Sequence, residues 1–217
     1  MQSINTPAKS SYQEKDRAHF TRWALSYDTG ISGYFFRKSY QKTLHVALPR
    51  PHQRVLDLGC GTGGFIDALF AIEPTLSIVG VDYTKAMLDQ AQEKFRNNPL
   101  ATFLLEPAEQ LSAQSQSIDV IYCLDAFHHF TDPDIALTQM RRILKPNGLM
   151  VILDPINDGW RRPLMSIATP FLGEEHARIY SKKEWRELFQ HHEMCVERGY
   201  SWLLFFHIFV VSIHEST

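Results

Sequence analysis

The stretch that decides the architecture reads Arg54-Val55-Leu56-Asp57-Leu58-Gly59-Cys60-Gly61-Thr62-Gly63-Gly64. Arg54 to Leu58 is a short apolar run with the look of a buried strand. Gly59 to Gly64 breaks it, and Phe65, Ala68, Leu69 and Ile72 then recur at helical spacing. The same alternation continues downstream. Ser77 to Val81 forms a second strand, and Met87, Leu88, Ala91 and Phe95 form a second helical stripe that Asn97-Asn98-Pro99 ends. Ala101 to Leu105 and Ile118 to Cys123 are further strands. Asp132-Pro133 offers an N-cap with proline at the first helical position, and Ala136, Met140, Ile143 and Leu144 supply the apolar face. Lys145-Pro146-Asn147-Gly148 reads as a stop and turn before a fifth strand, Leu149 to Asp154.

Strands alternating with helices imply parallel βαβ units and a doubly wound sheet. The ending differs. Ser181 and Glu184 make a capping box for a helix carrying Trp185, Leu188 and Phe189. Met194 to Tyr200 and Trp202 to Ile213 then follow almost without a gap, which predicts a β-hairpin. The expected fold is therefore α/β: a mostly parallel seven-stranded sheet closed by a C-terminal antiparallel hairpin. Residues 1–50 precede the first strand and crowd aromatics, Phe20, Trp23, Tyr27, Tyr34, Phe35, Phe36 and Tyr40. Phe36, Tyr40, Leu44 and Ala47 lie on one helical stripe. With no sheet of its own, this segment is expected to act as a helical lid on a domain spanning 51–217.

Composition narrows the function. The 217 residues include 22 basic and 24 acidic side chains, a formal charge of −2, which argues against a general nucleic-acid binder. Trp202 to Val211 is interrupted by His207 and is too short to span a bilayer as a helix; it reads as a buried strand rather than a membrane-surface contact. Met1 to Arg17 lacks the apolar core of a signal peptide. Cys60, Cys123 and Cys195 are odd in number and far apart, so neither a disulfide framework nor a metal site is expected. These features together suit a reduced, cytoplasmic protein.

In an open α/β sheet, ligands bind beyond the C-terminal ends of the strands. Gly59, Gly61 and Gly64 satisfy the dinucleotide fingerprint, and Asp82, eighteen residues past Gly64, ends the second strand where a ribose-binding acid belongs. Those features alone fit an NAD-dependent oxidoreductase. Asp57 opposes that reading, because a carboxylate at the strand's exit would repel a pyrophosphate. It favours a ligand that is cationic there and carries no phosphate, and S-adenosylmethionine is such a ligand.

Val55 to Gly63 resembles the first motif of class I S-adenosylmethionine-dependent methyltransferases. Val79-Gly80-Val81-Asp82 resembles their second, and Arg142-Ile143-Leu144-Lys145-Pro146-Asn147-Gly148 resembles the turn before their fifth strand. Trp23-Ala24-Leu25-Ser26-Tyr27-Asp28 further resembles the opening of the ubiquinone and menaquinone biosynthesis C-methyltransferases. The resemblance implies a Rossmann-like fold, S-adenosylmethionine as cofactor with S-adenosylhomocysteine as product, and a small-molecule methyl acceptor. It implies that Gly59, Cys60 and Gly61 let backbone approach the ligand and that Asp57 faces the methionyl amino end. Asp82 would then accept from the ribose hydroxyls, a role compatible with capping the next helix. By the same resemblance Tyr83 packs on adenine, the Ala108 N–H bonds it, and Cys123 and Leu124 line the methionine moiety. Many relatives have Asp-Ala after the third strand; Pro107-Ala108 here leaves adenine's amine to water, Glu106 or Glu109.

Methyl transfer is an in-line displacement, so the protein must orient the acceptor and exclude water. A base is needed only if the acceptor loses a proton, and Asp125 and His128 or His129, after the fourth strand, are the candidates. His191-His192 fits the end of a helix. His176, Arg161-Arg162 and Arg178 fall in an insertion that commonly shapes acceptor specificity. Tyr27 is expected to touch the ligand near its methionyl end, from a lid ordered by ligand. A domain that binds cofactor without transferring methyl is the remaining alternative.

Overall fold

The computed structural model describes residues 7–159, 178–203 and 205–213. Two helices, α1 (Pro7–Trp23) and α2 (Gly30–Val46), lead into β1 (Arg54–Leu58), α3 (Gly64–Ile72), β2 (Ser77–Asp82), α4 (Lys85–Lys94), β3 (Ala101–Leu105) and β4 (Ile118–Leu124). A 3₁₀ turn at Phe127–His129 is followed by α5 (Pro133–Ile143), β5 (Leu144–Pro155), α6 (Lys182–His191), β6 (Met194–Trp202) and β7 (Phe206–Ile213). The sheet order is β3-β2-β1-β4-β5-β7-β6, with β1 to β5 parallel and β7 antiparallel to both neighbours. The doubly wound sheet with a C-terminal hairpin is as the alternation of elements implies.

Successive side chains of each strand point to opposite faces, and both faces are covered. On one, Leu56, Val79, Ile121 and Ile152 pack with Leu137 and Met140 of α5 and with Trp185 and Phe189 of α6. On the other, Val55, Ile78, Tyr122 and Val151 pack with Ile66 and Leu69 of α3, Leu88 of α4 and Leu44 of α2. The end of α2 is therefore part of the core, and the Tyr122 hydroxyl donates to the Ala47 carbonyl at 2.6 Å. Caps fall where the sequence puts them. Asp132 accepts from the Ile135 N–H, and Ser181 and Glu184 form the reciprocal box.

Two boundaries differ from expectation. β5 begins at Leu144 opposite Ile118, and Lys145 to Gly148 is a bulge within the strand rather than a turn before it. Asp119 holds that bulge, accepting from the Arg54 N–H and pairing with the Lys145 ammonium at 2.7 Å. Gly148 is required there because a Cβ would lie 2.9 Å from the Asp119 carbonyl oxygen. The hairpin turn falls after Trp202 rather than before it. Trp202 pairs with Phe206 across the strands, their rings 5.9 Å apart, and this aromatic pair together with a register shift at Val196 and Arg198 sets the turn.

Candidate functional site

β1, β2 and β4 end side by side, at the point where the strand order reverses, and deliver Asp57, Asp82 and Asp125 to one cleft. The loop after β1 is anchored to β2, since the Gly59 and Cys60 N–H groups both donate to the Val81 carbonyl at 2.8 and 3.0 Å. Gly59 and Gly61 have φ of +78° and +53°. A Cβ on Gly59 would lie 2.4 Å from Ala126 Cβ, so glycine is the residue that lets this loop pass under the β4 loop.

Three adjoining chambers with shared lining residues run along this cleft. Asp57, Cys60, Leu124, Asp125 and Tyr27 line the first. Tyr27, Gly61, Asp82, Tyr83, Asp125 and His129 line the middle one. Asp82, Tyr83, Glu106, Pro107, Ala108 and Glu109 line the third. Gly59 borders all three. Nine of the ten residues expected to contact cofactor thus come together from five stretches of chain. Cys123 does not. Strand alternation turns its side chain into the core beneath the sheet, and burial pushes its thiol well up, which removes it as a thiolate nucleophile.

The two strand-end carboxylates have contrasting environments. Asp82 accepts from the Gly61 N–H at 2.9 Å and from the Thr84 N–H at 2.8 Å. Burial raises its carboxyl, and these backbone donors oppose the rise. Asp57 is only 2% exposed, and its Oδ2 has no hydrogen-bond partner among the described residues. Burial, with the Asp82 charge behind it, pushes the Asp57 carboxyl up to about 8. A buried acceptor without a donor is costly, and a cationic N–H donor in the first chamber would satisfy it. At the far end, Glu106 accepts from the Ser112 N–H and Glu109 from the Asp132 N–H. Both residues line the chamber that Pro107 borders.

The 3₁₀ turn separates the neighbouring histidines. His129 lines the middle and third chambers. His128, the sequence choice for a base, is buried with its Nδ1 2.8 Å from Asp154 Oδ1, and it borders none of the three. Asp125 stands between the first two chambers on a left-handed backbone (φ +54°). Ligating atoms of Asp125, His128 and Asp154 lie within 4.8 Å of one another, a mixed carboxylate and imidazole set of the type that divalent transition metals take. Sequence reading missed Asp154, whose only signal is an acid at the end of a buried strand. It also missed Asp16.

Asp16 brings α1 onto the cleft. Its carboxylate accepts from the Tyr83 hydroxyl and lies 3.2 Å from His129 Nδ1. Burial raises the Asp16 carboxyl, but His129 and Tyr83 outweigh that and hold it below its ordinary range. Phe20 packs edge-on against His129, and Arg17 lies over the Tyr83 ring. Further along, Asp28 accepts from the Thr62 hydroxyl at 2.8 Å and pairs with Lys94 at 3.1 Å. The N-terminal segment thus covers the cleft through both polar and aromatic contacts. Arg161, Arg162 and His176 lie outside the described residues. Arg178 stacks on Tyr180 and donates its N–H to the His128 carbonyl.

The family model described as "Methyltransferase domain" matches residues 56–152. The uncharacterized methyltransferase YcgJ of Bacillus subtilis is 31% identical over 166 residues, 71% of this chain and 62% of its own. The ubiquinone/menaquinone biosynthesis C-methyltransferase UbiE of Campylobacter jejuni is 29% identical over 154 residues, 65% of this chain and 64% of its own. Among solved structures, the methyltransferase in a Haloferax volcanii complex with the Trm112 methyltransferase activator superposes with a TM-score of 0.77 at 20% identity. That match covers 90% of this chain and 98% of that one. The chain spans 35% to 64% of the length of the first curated relatives it matches. With its sheet order, its glycine loop and the acids of β1 and β2, the chain carries over residues 56–152 a methyltransferase domain similar to those of class I S-adenosylmethionine-dependent methyltransferases.

Proposed function

We propose that this protein transfers the methyl group of S-adenosylmethionine to a small molecule held between the cleft and the lid. The orphaned Asp57 Oδ2 carries the reading, because the chain supplies a buried acceptor at the place where the cofactor's ammonium would lie. In this assignment Asp57 and Tyr27 hold the methionyl end, Asp82 the ribose diol, and Tyr83 and Ala108 the adenine. When bound, the cofactor supplies a methyl group already activated by the sulfonium. The protein's part is to align the acceptor and keep water out, which orientation alone can reward with roughly 7–11 kcal/mol. Asp125, bordering both the methionyl and middle chambers, is the group placed to orient an acceptor hydroxyl or take its proton. His128 then acts through Asp154 and the turn, as a positioning residue.

Calorimetry tests the assignment. S-adenosylhomocysteine should bind and NAD should not. Asp82→Ala should weaken S-adenosylhomocysteine by roughly 2–4 kcal/mol, since hydrogen bonds to a charged group are worth about 1.5–3 each. Unchanged affinity in a folded Asp82→Ala protein, or binding of NAD, would reject the reading.

The lid makes a second expectation. Asp16 and Asp28 bind α1 and the α1–α2 connection to the cleft rim through few contacts, so opening should cost little in the free protein. Ligand filling the chambers behind Phe20 and Tyr27 should oppose opening. Amide exchange between about residues 12 and 40 should slow when S-adenosylhomocysteine binds. Equal exchange with and without it would make the aromatics ordinary packing.

A further inference from the structure

The lid differs from the rest of the chain in charge. Residues 1–50 hold eight Lys or Arg and three Asp or Glu, whereas residues 51–217 hold fourteen and twenty-one. No acidic residue occurs from Thr29 to Leu56, a span carrying Arg37, Lys38, Lys42, Arg50 and Arg54. The lid is a cationic cap on an anionic body.

Apolar side chains project from that cap. Ile31 at the start of α2 is 90% exposed, Leu25 in the connection before it 82%, and Tyr34 60%. Leu203, at the β6–β7 turn, is 61% exposed and has φ of +51°, a place that turn chemistry ordinarily gives to glycine or asparagine. The N-terminal part of α2, which carries Ile31 and Tyr34, adjoins the β6–β7 turn, which carries Leu203. The Phe35 ring lies 5.2 Å from Trp202 and 5.1 Å from Phe206, Ile31 sits one helical turn before Phe35, and Leu203 follows Trp202. Arg37 and Lys38 are exposed on the same helix; the Arg37 guanidinium donates to the Asp28 carbonyl at 3.1 Å, and the Lys38 ammonium lies 5.6 Å from the Tyr34 ring centre. A single exposed aliphatic residue needs no explanation; several on adjoining elements, bordered by cations, do.

We propose that Ile31 and Tyr34 of the lid, with Leu203 of the adjoining β6–β7 turn and with Arg37 and Lys38, dock on the surface of an anionic lipid bilayer. Headgroup phosphates attract the cations, and the aliphatic side chains leave water for the acyl boundary. A nucleic acid would satisfy the cations and leave Ile31 and Leu203 in water, so the combination favours lipid. No helix among the described residues is long and apolar enough to cross a membrane, and the contact is peripheral.

The test is co-sedimentation of the full chain with vesicles of phosphatidylcholine, alone or with about a third phosphatidylglycerol. Sedimentation should require the anionic lipid. It should also weaken between about 0.1 and 1 M salt, as the screening length falls from about 10 to 3 Å. Ile31→Ser combined with Leu203→Asn should lower partitioning about tenfold or more, with melting temperature and S-adenosylhomocysteine affinity unchanged. That affinity reports on the proposed function separately. The docking proposal is overturned if the wild type stays in the supernatant at low salt, or if the double variant sediments as well as the wild type. It is equally overturned if the two substitutions instead break a self-associated form that does not sediment, or if duplex RNA binds where vesicles do not.

Discussion

Asp57→Asn is expected to lose S-adenosylhomocysteine affinity by roughly 3–5 kcal/mol, the usual cost of breaking a buried charge pair, while making the ligand-free protein more stable near pH 8. Both effects come from one carboxyl group. Burial and the Asp82 charge push Asp57 from its ordinary 3.8 up to about 8, so the folded chain keeps a proton that the unfolded chain releases. A raised carboxyl contributes stability that is complete below pH 3.8 and is lost as pH climbs toward 8. Asparagine does not titrate. Each pH unit in that window should therefore favour the variant by up to about 1.4 kcal/mol. Melting curves of the two proteins should coincide near pH 4 and separate by pH 8, with asparagine higher. Under the proposed assignment the cofactor's ammonium should reverse the preference by pairing with the ionised form, so wild-type binding at pH 7 should release a proton and tighten as pH rises. Proton release is read from calorimetry in buffers of different ionisation enthalpy. A variant that binds normally would separate Asp57 from the ligand, and one that melts below the wild type at pH 8 would refute the raised Asp57 carboxyl. The conflict is a stability cost carried for function.

The sheet was readable because each strand is short, apolar and bounded by glycine, proline or a cap. Arg54–Leu58 and Ala101–Leu105 fall where the periodicity sets them. What periodicity does not encode is how a break is resolved. Lys145 to Gly148 has turn composition, yet Asp119, distant in sequence, draws it into β5 as a bulge. The cleft follows the same division. Asp57, the glycines and Asp82 are local to strand ends and were legible. Cys123 and His128 are next to the right residues but face elsewhere, because a strand reverses direction at each residue and a 3₁₀ turn rotates by about a third of a circle. Asp16 meets Tyr83 only through the packing of α1, and nothing around it in the sequence marks it.

Gly61→Val should abolish S-adenosylhomocysteine binding. Gly61 lies where the loop, Tyr27 and the middle chamber meet, and a Cβ there would stand 3.7 Å from Tyr27 Cε1, an ordinary contact. The protein alone therefore has room for the first added carbon. The two γ-carbons of valine would extend beyond it into the space between the loop and the N-terminal segment that the proposed assignment gives to the ligand. The backbone adds a separate cost, because φ of +53° suits glycine and strains a β-branched residue by roughly 1–3 kcal/mol. In a chain of this size that lowers the melting temperature by roughly 2–10 °C and leaves it folded at 25 °C. Gly61→Ala separates the two effects. It shares most of the backbone strain and lacks the γ-carbons, so it should melt near the valine variant and still bind, more weakly than glycine. Calorimetry on the three proteins, with circular dichroism confirming the fold, gives the order glycine, alanine, valine if the loop approaches the ligand here. A folded valine variant with undiminished affinity would place the ligand elsewhere and remove Gly61, and Tyr27 opposite it, from the site.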